Sequence, residues 1–323
     1  MVDSGAMGPR GRAETGAASV LCVGQATLAH VLTVADEIVV GRKHVARRHD
    51  VVGGGLAANA AVAVARLGGS ASLAGVVGDD DTGNSVLAGL RAEHVDIRLV
   101  QQIAGVTTPF SAVIVSADGA RTIVNHSPGE LLARACPDLD GVVCDAVLVD
   151  GRWPSGTAAA LSLARHRRIP GVVDVDRSTV DAAVIATCLD LASHLVFSED
   201  ALQELTGTLS AIDGLRRISR DTGANVSVTL GARGVVWLDG DDVRSLGAFD
   251  VDAVDTTGAG DVFHGAATLA LAEGADEARA FAFASAAAAL KCTRPGARAG
   301  VPSRQEVDDL LDHTSITNEV AAP

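Results

Sequence analysis

From residue 145 onward, short apolar runs alternate with longer Ala-rich or amphipathic stretches, and that rhythm leaves few folds open. The runs at 145–149, 171–175, 194–197, 225–230 and 234–238 have strand length, while 155–168, 180–190, 199–205 and 210–222 have helical length and spacing. Strands joined by crossovers of helical length are parallel neighbours, so the pattern predicts a layered α/β sandwich around a central, mostly parallel sheet. Two Ala-rich helices, 261–273 and 276–291, close the predicted core.

The first half is less regular. SVLCVG at 19–24 reads as a buried strand, and 31–52 as two Val-rich extended segments around Gly41-Arg42-Lys43, a hairpin. Gly53-Gly54-Gly55 opens a helix over 56–67 that stops at Gly68-Gly69. A strand at 71–77 and a helix at 82–93 follow. A second hairpin spans 107–115 and 120–126, turning at Ala117-Asp118-Gly119. The extended pairs at 31–52 and 107–126 break the βα rhythm, so they are expected to form a small β-sheet lid inserted into one domain over 19–312. Residues 1–18 and 313–323 are expected to be a disordered extension and a flexible tail.

Composition narrows the partners. The chain has 323 residues, is 48% hydrophobic, has only 2% aromatics and no Tyr, and carries a formal charge of -14. A large core is affordable only from Ala, Val, Leu and Ile, and a base-stacking platform for nucleic acid is hard to assemble. The charge argues against nucleic-acid backbone contact, and a small anionic ligand would have to be met by a few specific Lys or Arg residues. The 20–34 stretch is broken by Gln25, His30 and Thr33, which argues against a membrane span, and the N-terminus lacks a signal-peptide pattern. Cys22, Cys136, Cys144, Cys188 and Cys292 fall at wide spacings without a CxxC pair, the usage expected of reduced thiols in the cytoplasm.

The chemistry concentrates in VDAVDTTGAGDVFHGA at 251–266. Thr257, Gly258, Ala259 and Gly260 lie between an extended stretch and a helix starting near Asp261, so backbone N–H groups without intrahelical partners should converge on an anion there. Asp261 is then placed to take a proton from a hydroxyl attacking phosphorus. On the residues alone, a helix-start acid among turn glycines is an equally good reading. No GxxxxGK[ST] run is present, and GGGLAAN at 53–59 lacks both the P-loop lysine and the third glycine of a dinucleotide fingerprint.

DTTGAGD at 255–261, together with the early GGG and Asn59, resembles the ribokinase-like, PfkB-type carbohydrate kinases over nearly the whole ordered length. Within that family, GDDDTGNS at 78–85, DTTGAGDVFHGA at 255–266 and ALKCTRPGARAGVP at 289–302 are most similar to bacterial sulfofructose kinases. The resemblance implies a ribokinase-like three-layer fold and ATP-dependent phosphorylation of a sugar hydroxyl, the 1-hydroxyl of 6-deoxy-6-sulfofructose. Other ketoses, ketose phosphates such as fructose 6-phosphate or tagatose 6-phosphate, and nucleosides are the alternatives. A noncatalytic sugar-nucleotide sensor comes after these.

In that reading Asp261 is the base and the amides of Thr257, Gly258, Ala259 and Gly260 form the anion hole. Gly54, Gly55 and Asn59 line the sugar site. Lys43, Asn125 and Arg152 hold the sulfonate or a 6-phosphate, two groups sharing a tetrahedral oxygen face. Ser198, Thr229, Gly231, Gly234, Gly258, Cys292 and Gly296 lie along ATP, with the 294–300 loop bordering adenine or a monovalent cation such as K+. Mg2+ rides mainly on ATP, with Glu199 ordering its water. A homodimer paired through the lid is expected.

Two departures from the family pattern stand out. Ala29 occupies the place of a sugar-binding Asp, and SEDA at 198–201 replaces NxxE. Asp174, Asp176, His264 and Trp153 are each open to a structural reading or a ligand-facing one.

Overall fold

The computed structural model describes residues 16–117, 120–177, 182–314 and 319–320. Most of the expected N-terminal extension, the 118–119 part of the second hairpin turn, the first residues of the 180–190 helix and most of the C-terminal tail lie outside the described residues.

In chain order, β1 (Ser19–Val23) is followed by β2 (Thr27–Val34), β3 (Ala46–Gly54), α1 (Leu56–Arg66), β4 (Ser70–Gly78), α2 (Asp81–Ala92) and β5 (Asp96–Ile103). The hairpin β6 (Phe110–Val115) and β7 (Arg121–His126) and a short α3 (Gly129–Leu132) lead to the regular alternation. That alternation runs β8 (Ala146–Val149), α4 (Pro154–Arg167), β9 (Gly171–Val175), α5 (Ala182–Leu191), β10 (His194–Ser198), α6 (Glu199–Thr206), α7 (Ala211–Thr222) and β11 (Asn225–Thr229). The elements β12 (Val235–Asp239), β13 (Asp242–Leu246), α8 (Ala259–Ala272), α9 (Glu277–Cys292), α10 (Arg304–His313) and β14 (Glu319–Val320) complete the order.

These strands form a 10-stranded sheet in the order β14-β13-β12-β11-β10-β9-β8-β1-β4-β5 and a separate 4-stranded sheet, β3-β2-β6-β7. The large sheet is parallel from β5 to β11 and antiparallel beyond it. Side chains alternate across a strand, so β1 feeds two cores: Val20 and Cys22 pack with α1, α8 and α9, while Leu21 and Val23 pack with α4, α5 and α7. Both faces are covered, which explains why the central strands read as continuous apolar runs.

The Ala-rich helices permit a close crossing that builds the site. A Cβ on Gly265 of α8 would stand 2.6 Å from the Ala60 carbonyl of α1, so the two backbones touch where a larger residue would hold them apart. That contact brings Asn59, the residue before Ala60, over the first turn of α8.

Several elements depart from the sequence expectations. Ala18 is buried and its carbonyl accepts from Ser70, so the ordered chain begins before Ser19. β5 was not anticipated, because DIRLVQQI mixes charge and amide into an edge strand. β13 is likewise a short, partly polar strand. α10 does carry a legible signal, a capping box between Ser303 and Glu306. α8 starts at Ala259 and not at Asp261, because Gly258 takes a left-handed conformation with φ 77° and caps it.

Candidate active site

Asp261 sits in the first turn of α8 and is only 6% exposed. Burial pushes its carboxyl up to about 7, with the nearby Asp174 and Asp150 adding to the rise and the Asn59 amide and His264 opposing it. The Asn59 Nδ2 group donates to Asp261 Oδ2 at 2.6 Å. A carboxylate with that value is half ionised near neutrality and strong enough as a base to accept a hydroxyl proton.

The turn ahead of α8 is held by Asp255. Its Oδ1 accepts from Thr257 N at 2.9 Å and Thr257 Oγ1 at 2.6 Å, an Asx-type turn, and its Oδ2 accepts from Gly296 N at 2.8 Å. Arg121 of β7 reaches the same carboxylate at 2.9 Å and also donates to Thr257 Oγ1. Burial acts to raise the Asp255 carboxyl, but the bonds from Thr257, Gly296 and Arg121 together hold it well below the usual range. The Asp255 carbonyl accepts from the buried Lys291 ammonium, whose own value burial pushes down.

This geometry corrects the expected anion hole. The Thr257 amide is spent on Asp255, and the Ala259 amide donates to the Thr256 carbonyl at 3.2 Å. Among the described residues the amides of Gly258 and Gly260 carry no hydrogen bond within the protein, so they are the donors available to an anion at this helix start.

Residues 17–304 match the sequence profile described as pfkB family carbohydrate kinase. The chain belongs to the pfkB family of carbohydrate kinases. It is similar to ribokinase of Bacillus subtilis, 30% identical over 307 residues that cover 91% of this chain and 99% of that protein. It is also similar to fructokinase-1 of Oryza sativa subsp. japonica, 31% identical over 284 residues, 80% of this chain and 88% of that one. Among solved structures, a protein described as a candidate ribokinase from Agrobacterium tumefaciens shares 37% identity at a TM-score of 0.86, covering 92% of this chain and 98% of that one. The protein is thus an ATP-dependent carbohydrate kinase with a ribokinase-like fold.

Within the kinase, the residues expected to face sugar separate into groups. Gly54 ends β3, Gly55 caps α1 with φ 92°, and Asn59 is buried beside Asp261. In the small sheet Ala29, Ser111 and Asn125 lie in register across β2, β6 and β7, and Ser111 Oγ donates to Asn125 Oδ1 at 2.8 Å. Two-residue alternation puts Asn125 on the side of β7 that also carries Arg121 to Asp255. Arg152 follows β8, with its backbone N–H on Asp150 and its guanidinium 3.4 Å from Asp176. Lys43 lies in the exposed connection between β2 and β3 and has no hydrogen bond or ion pair among the described residues.

On the nucleotide side, Ser198 caps α6 and pairs in register with Thr229, the last residue of β11. Gly231 and Gly234 take φ 58° and 90° in the turn between β11 and β12, where a Cβ on Gly234 would meet the Leu246 carbonyl at 2.0 Å. Glu199, expected near magnesium, is ion-paired with Arg233 in this structure. The carbonyl of Cys292 accepts from the amides of Val254 and Asp255, so both Cys292 and Gly296 brace Asp255.

Trp153 and His264 are both buried. Trp153 is 2% exposed, fills the core and donates to the Arg134 carbonyl. His264 is buried with Nδ1 3.2 Å from Asp174 Oδ2, and although burial opposes it, the neighbouring Asp174 and Asp261 carboxylates raise its value.

Arg298 was missed as a site residue. The sequence pattern assigns its loop to adenine or a monovalent cation, yet Nε donates to Asn59 Oδ1 at 2.8 Å and Nη2 to the Gly54 carbonyl at 2.9 Å. Gly53 has no Cβ to block it: one would fall 2.1 Å from Nη1. Arg121 was missed as well, since nothing in RTIVNH distinguishes a strand arginine that reaches another element.

Proposed function

We propose that this kinase transfers the γ-phosphoryl group of ATP to a primary hydroxyl of an anionic ketose, the 1-hydroxyl of 6-deoxy-6-sulfofructose being the first candidate. Asp261 takes the hydroxyl proton, the hydroxyl oxygen bonds to the γ-phosphorus, and the bond to the ADP oxygen breaks. The free amides of Gly258 and Gly260 stabilise the charge on the transferring group. The observation that carries the kinase chemistry is the buried Asp261 carboxyl beside those two amides, held by Asn59.

An anionic acceptor is supported by the charge balance of the sugar side. Ala29 removes the family's acid there, while Arg152 and Arg298 place cations beside Asp176 and the Gly54 carbonyl. Asn125 and Ser111 add neutral polar groups that suit sulfonate or phosphate oxygens. Lys43 joins this set if the connection between β2 and β3 folds over the bound acceptor. A neutral pentose or hexose is the second reading, favoured by the likeness to proteins named ribokinase and fructokinase.

Magnesium enters with ATP. Among the described residues no cluster of three or more His, Cys, Asp or Glu side chains is arranged for a metal, and Glu199 would order its water only after leaving Arg233. The corner at Cys292–Gly296 fits a monovalent cation poorly, because the Lys291 ammonium already sits on the Asp255 carbonyl. Exchange of K+ for a large organic cation should therefore change turnover less than about twofold.

A homodimer is proposed through the small sheet. Val51 and Val124, 50% and 62% exposed, stand in one row with His30 and Ala112 between them, an apolar strip suited to a second copy. No helix among the described residues is long and apolar enough to cross a membrane.

The deciding experiment is ADP release with ATP and magnesium against 6-deoxy-6-sulfofructose, fructose 6-phosphate, tagatose 6-phosphate, fructose, ribose and adenosine, with product masses confirmed. A kcat/KM at least tenfold higher for sulfofructose supports the proposal. Preference for ribose or fructose would replace the anionic acceptor with the neutral one, and no turnover on any acceptor would argue for a sensor.

A further inference from the structure

We propose that Arg298 is a positioning residue that fixes the Asn59 side-chain amide in the orientation that donates to Asp261. The inference rests on Asp261 acting as the base. An amide has an accepting and a donating end, and turning it over exchanges them. A guanidinium has no accepting atom, so the Asn59 end facing Arg298 Nε must be its oxygen, 2.8 Å away. The opposite end, 2.6 Å from Asp261 Oδ2, must then be the NH2 group. Without Arg298 the amide is free to turn its oxygen to Asp261, where it can pair only with the protonated carboxyl.

Arg298 is itself well placed. Its Nη2 group is anchored on the Gly54 carbonyl, and the bare backbone of Gly53 leaves room for Nη1. Burial pushes its value down to about 10, with Glu93 and Asp261 opposing the fall, so it stays charged over the working range. Glu93 is in turn bound bidentately by Arg66 of α1.

Other charged groups also bear on Asp261. Asp174 of β9 and Asp150 after β8 disfavour its ionised form, and His264 on α8 favours it. Among the described residues the Asn59 amide is hydrogen-bonded to Asp261 and Arg298. The Arg298–Asn59–Asp261 chain is therefore separable from the surrounding field by a mutant cycle.

The test is the pH dependence of kcat with the best acceptor for wild type, Arg298→Met, Asn59→Ala and the double variant, with Asp261→Asn as control. Losing Arg298 should move the acidic limb of kcat upward by about one pH unit, giving about a tenfold loss at pH 6 and under threefold at pH 9. In the Asn59→Ala background the same substitution should move the limb by less than about 0.3 pH unit, the remainder being the direct charge of Arg298 on Asp261. Arg298→Lys, which also only donates, should restore most of the wild-type limb. If the Met variant does not fold, Arg298→Leu carries the same cycle.

A uniform loss at every pH would overturn the inference, as would a full shift persisting without Asn59, which would mean that charge acts through space. If Asp261→Asn turned over normally, the base assignment itself would fall and this inference with it. An inactive Asp261→Asn beside an unmoved limb in Arg298→Met would sink only the inference.

Discussion

Arg121, on the edge strand β7 of the small sheet, and Asp255, in the turn that caps α8, form an ion pair of 2.9 Å across 134 residues of sequence. The same guanidinium reaches Thr257, so one side chain ties the small sheet to the turn that presents the free amides of Gly258 and Gly260. Arg121→Met should loosen β6 and β7 and leave β8 to β11 protected. Hydrogen exchange read by mass spectrometry should show severalfold faster exchange confined to the hairpin. Uniform protection would mean that the sheet is held by other contacts. Asp255 is depressed, so its stabilisation is present above the ordinary carboxylate range and is lost only as pH falls through its lowered value. The contrast between wild type and variant should therefore persist down to about pH 4.

Asp261→Asn should cut kcat by about 100-fold or more while ATP affinity, followed by calorimetry, changes little. Its effect on stability has the opposite sign. Burial raises the carboxyl to about 7, so the native state's preference for the protonated form is fully present below the unfolded value and is lost as pH rises through about 7. At pH 8 the neutral amide removes the cost of a buried charge, and Tm should rise by a few °C on the order set by unfolding entropy. At pH 4 the two proteins should melt together. A lower Tm at pH 8 would show that the ionised carboxylate earns its place through hydrogen bonds.

The βα rhythm, the glycine-rich turn and the GGG-to-Asn59 segment were legible because each is a local pattern, a period or a backbone requirement. What escaped is set by tertiary contacts. TRPGARAG predicts a loop, yet the direction of Arg298 depends on the empty space at Gly53, in a strand far away in sequence. Position alone leaves the Thr257 amide unpaired at the start of a helix. Asp255, two residues earlier, is an Asx-turn former, a signal that DTT itself carries. Trp153 could not be assigned from sequence because a large side chain just after a strand serves equally as core or as pocket wall.

Val124→Lys should convert the proposed dimer to monomer at micromolar concentration, as read by light scattering after size exclusion. The lysine would place a charge in the row that joins Val124 to Val51 across Ala112 and His30. At 62% exposure, Val124 contributes little to the monomer, so melting should shift by less than about 0.5 kcal/mol in the isolated chain. A wild-type monomer, or an unchanged dimer in the variant, would move the interface elsewhere.

Arg152→Ala should raise KM for a sulfonated or phosphorylated ketose by about tenfold or more and for fructose by less than about twofold, measured by steady-state ADP release. A directional cation–oxyanion contact is worth more than a neutral hydrogen bond, and only the anionic acceptor loses it. Asp176, 3.4 Å from the same guanidinium, is an internal competitor. Asp176→Asn should therefore lower KM for the anionic acceptor. Equal effects of Arg152→Ala on both acceptors would remove this arginine from anion recognition.

Gly258→Ala tests the helix start without changing any charge. Gly258 has φ 77°, a conformation that costs an L-residue about 1 kcal/mol, and an added Cβ would stand 2.8 Å from the Ala297 Cβ. The turn and the 294–300 loop must then separate, carrying the Gly258 and Gly260 amides off their common target and disturbing the neighbour of Arg298. The expected outcome is a stability loss of about 1–3 kcal/mol by urea unfolding, together with a kcat loss of about tenfold or more on every acceptor alike. Because the amides address the transferring phosphoryl group and not the sugar, the ratio of kcat/KM between anionic and neutral acceptors should stay unchanged. A changed ratio would place this turn in sugar recognition, and full activity would remove the Gly258 amide from the chemistry.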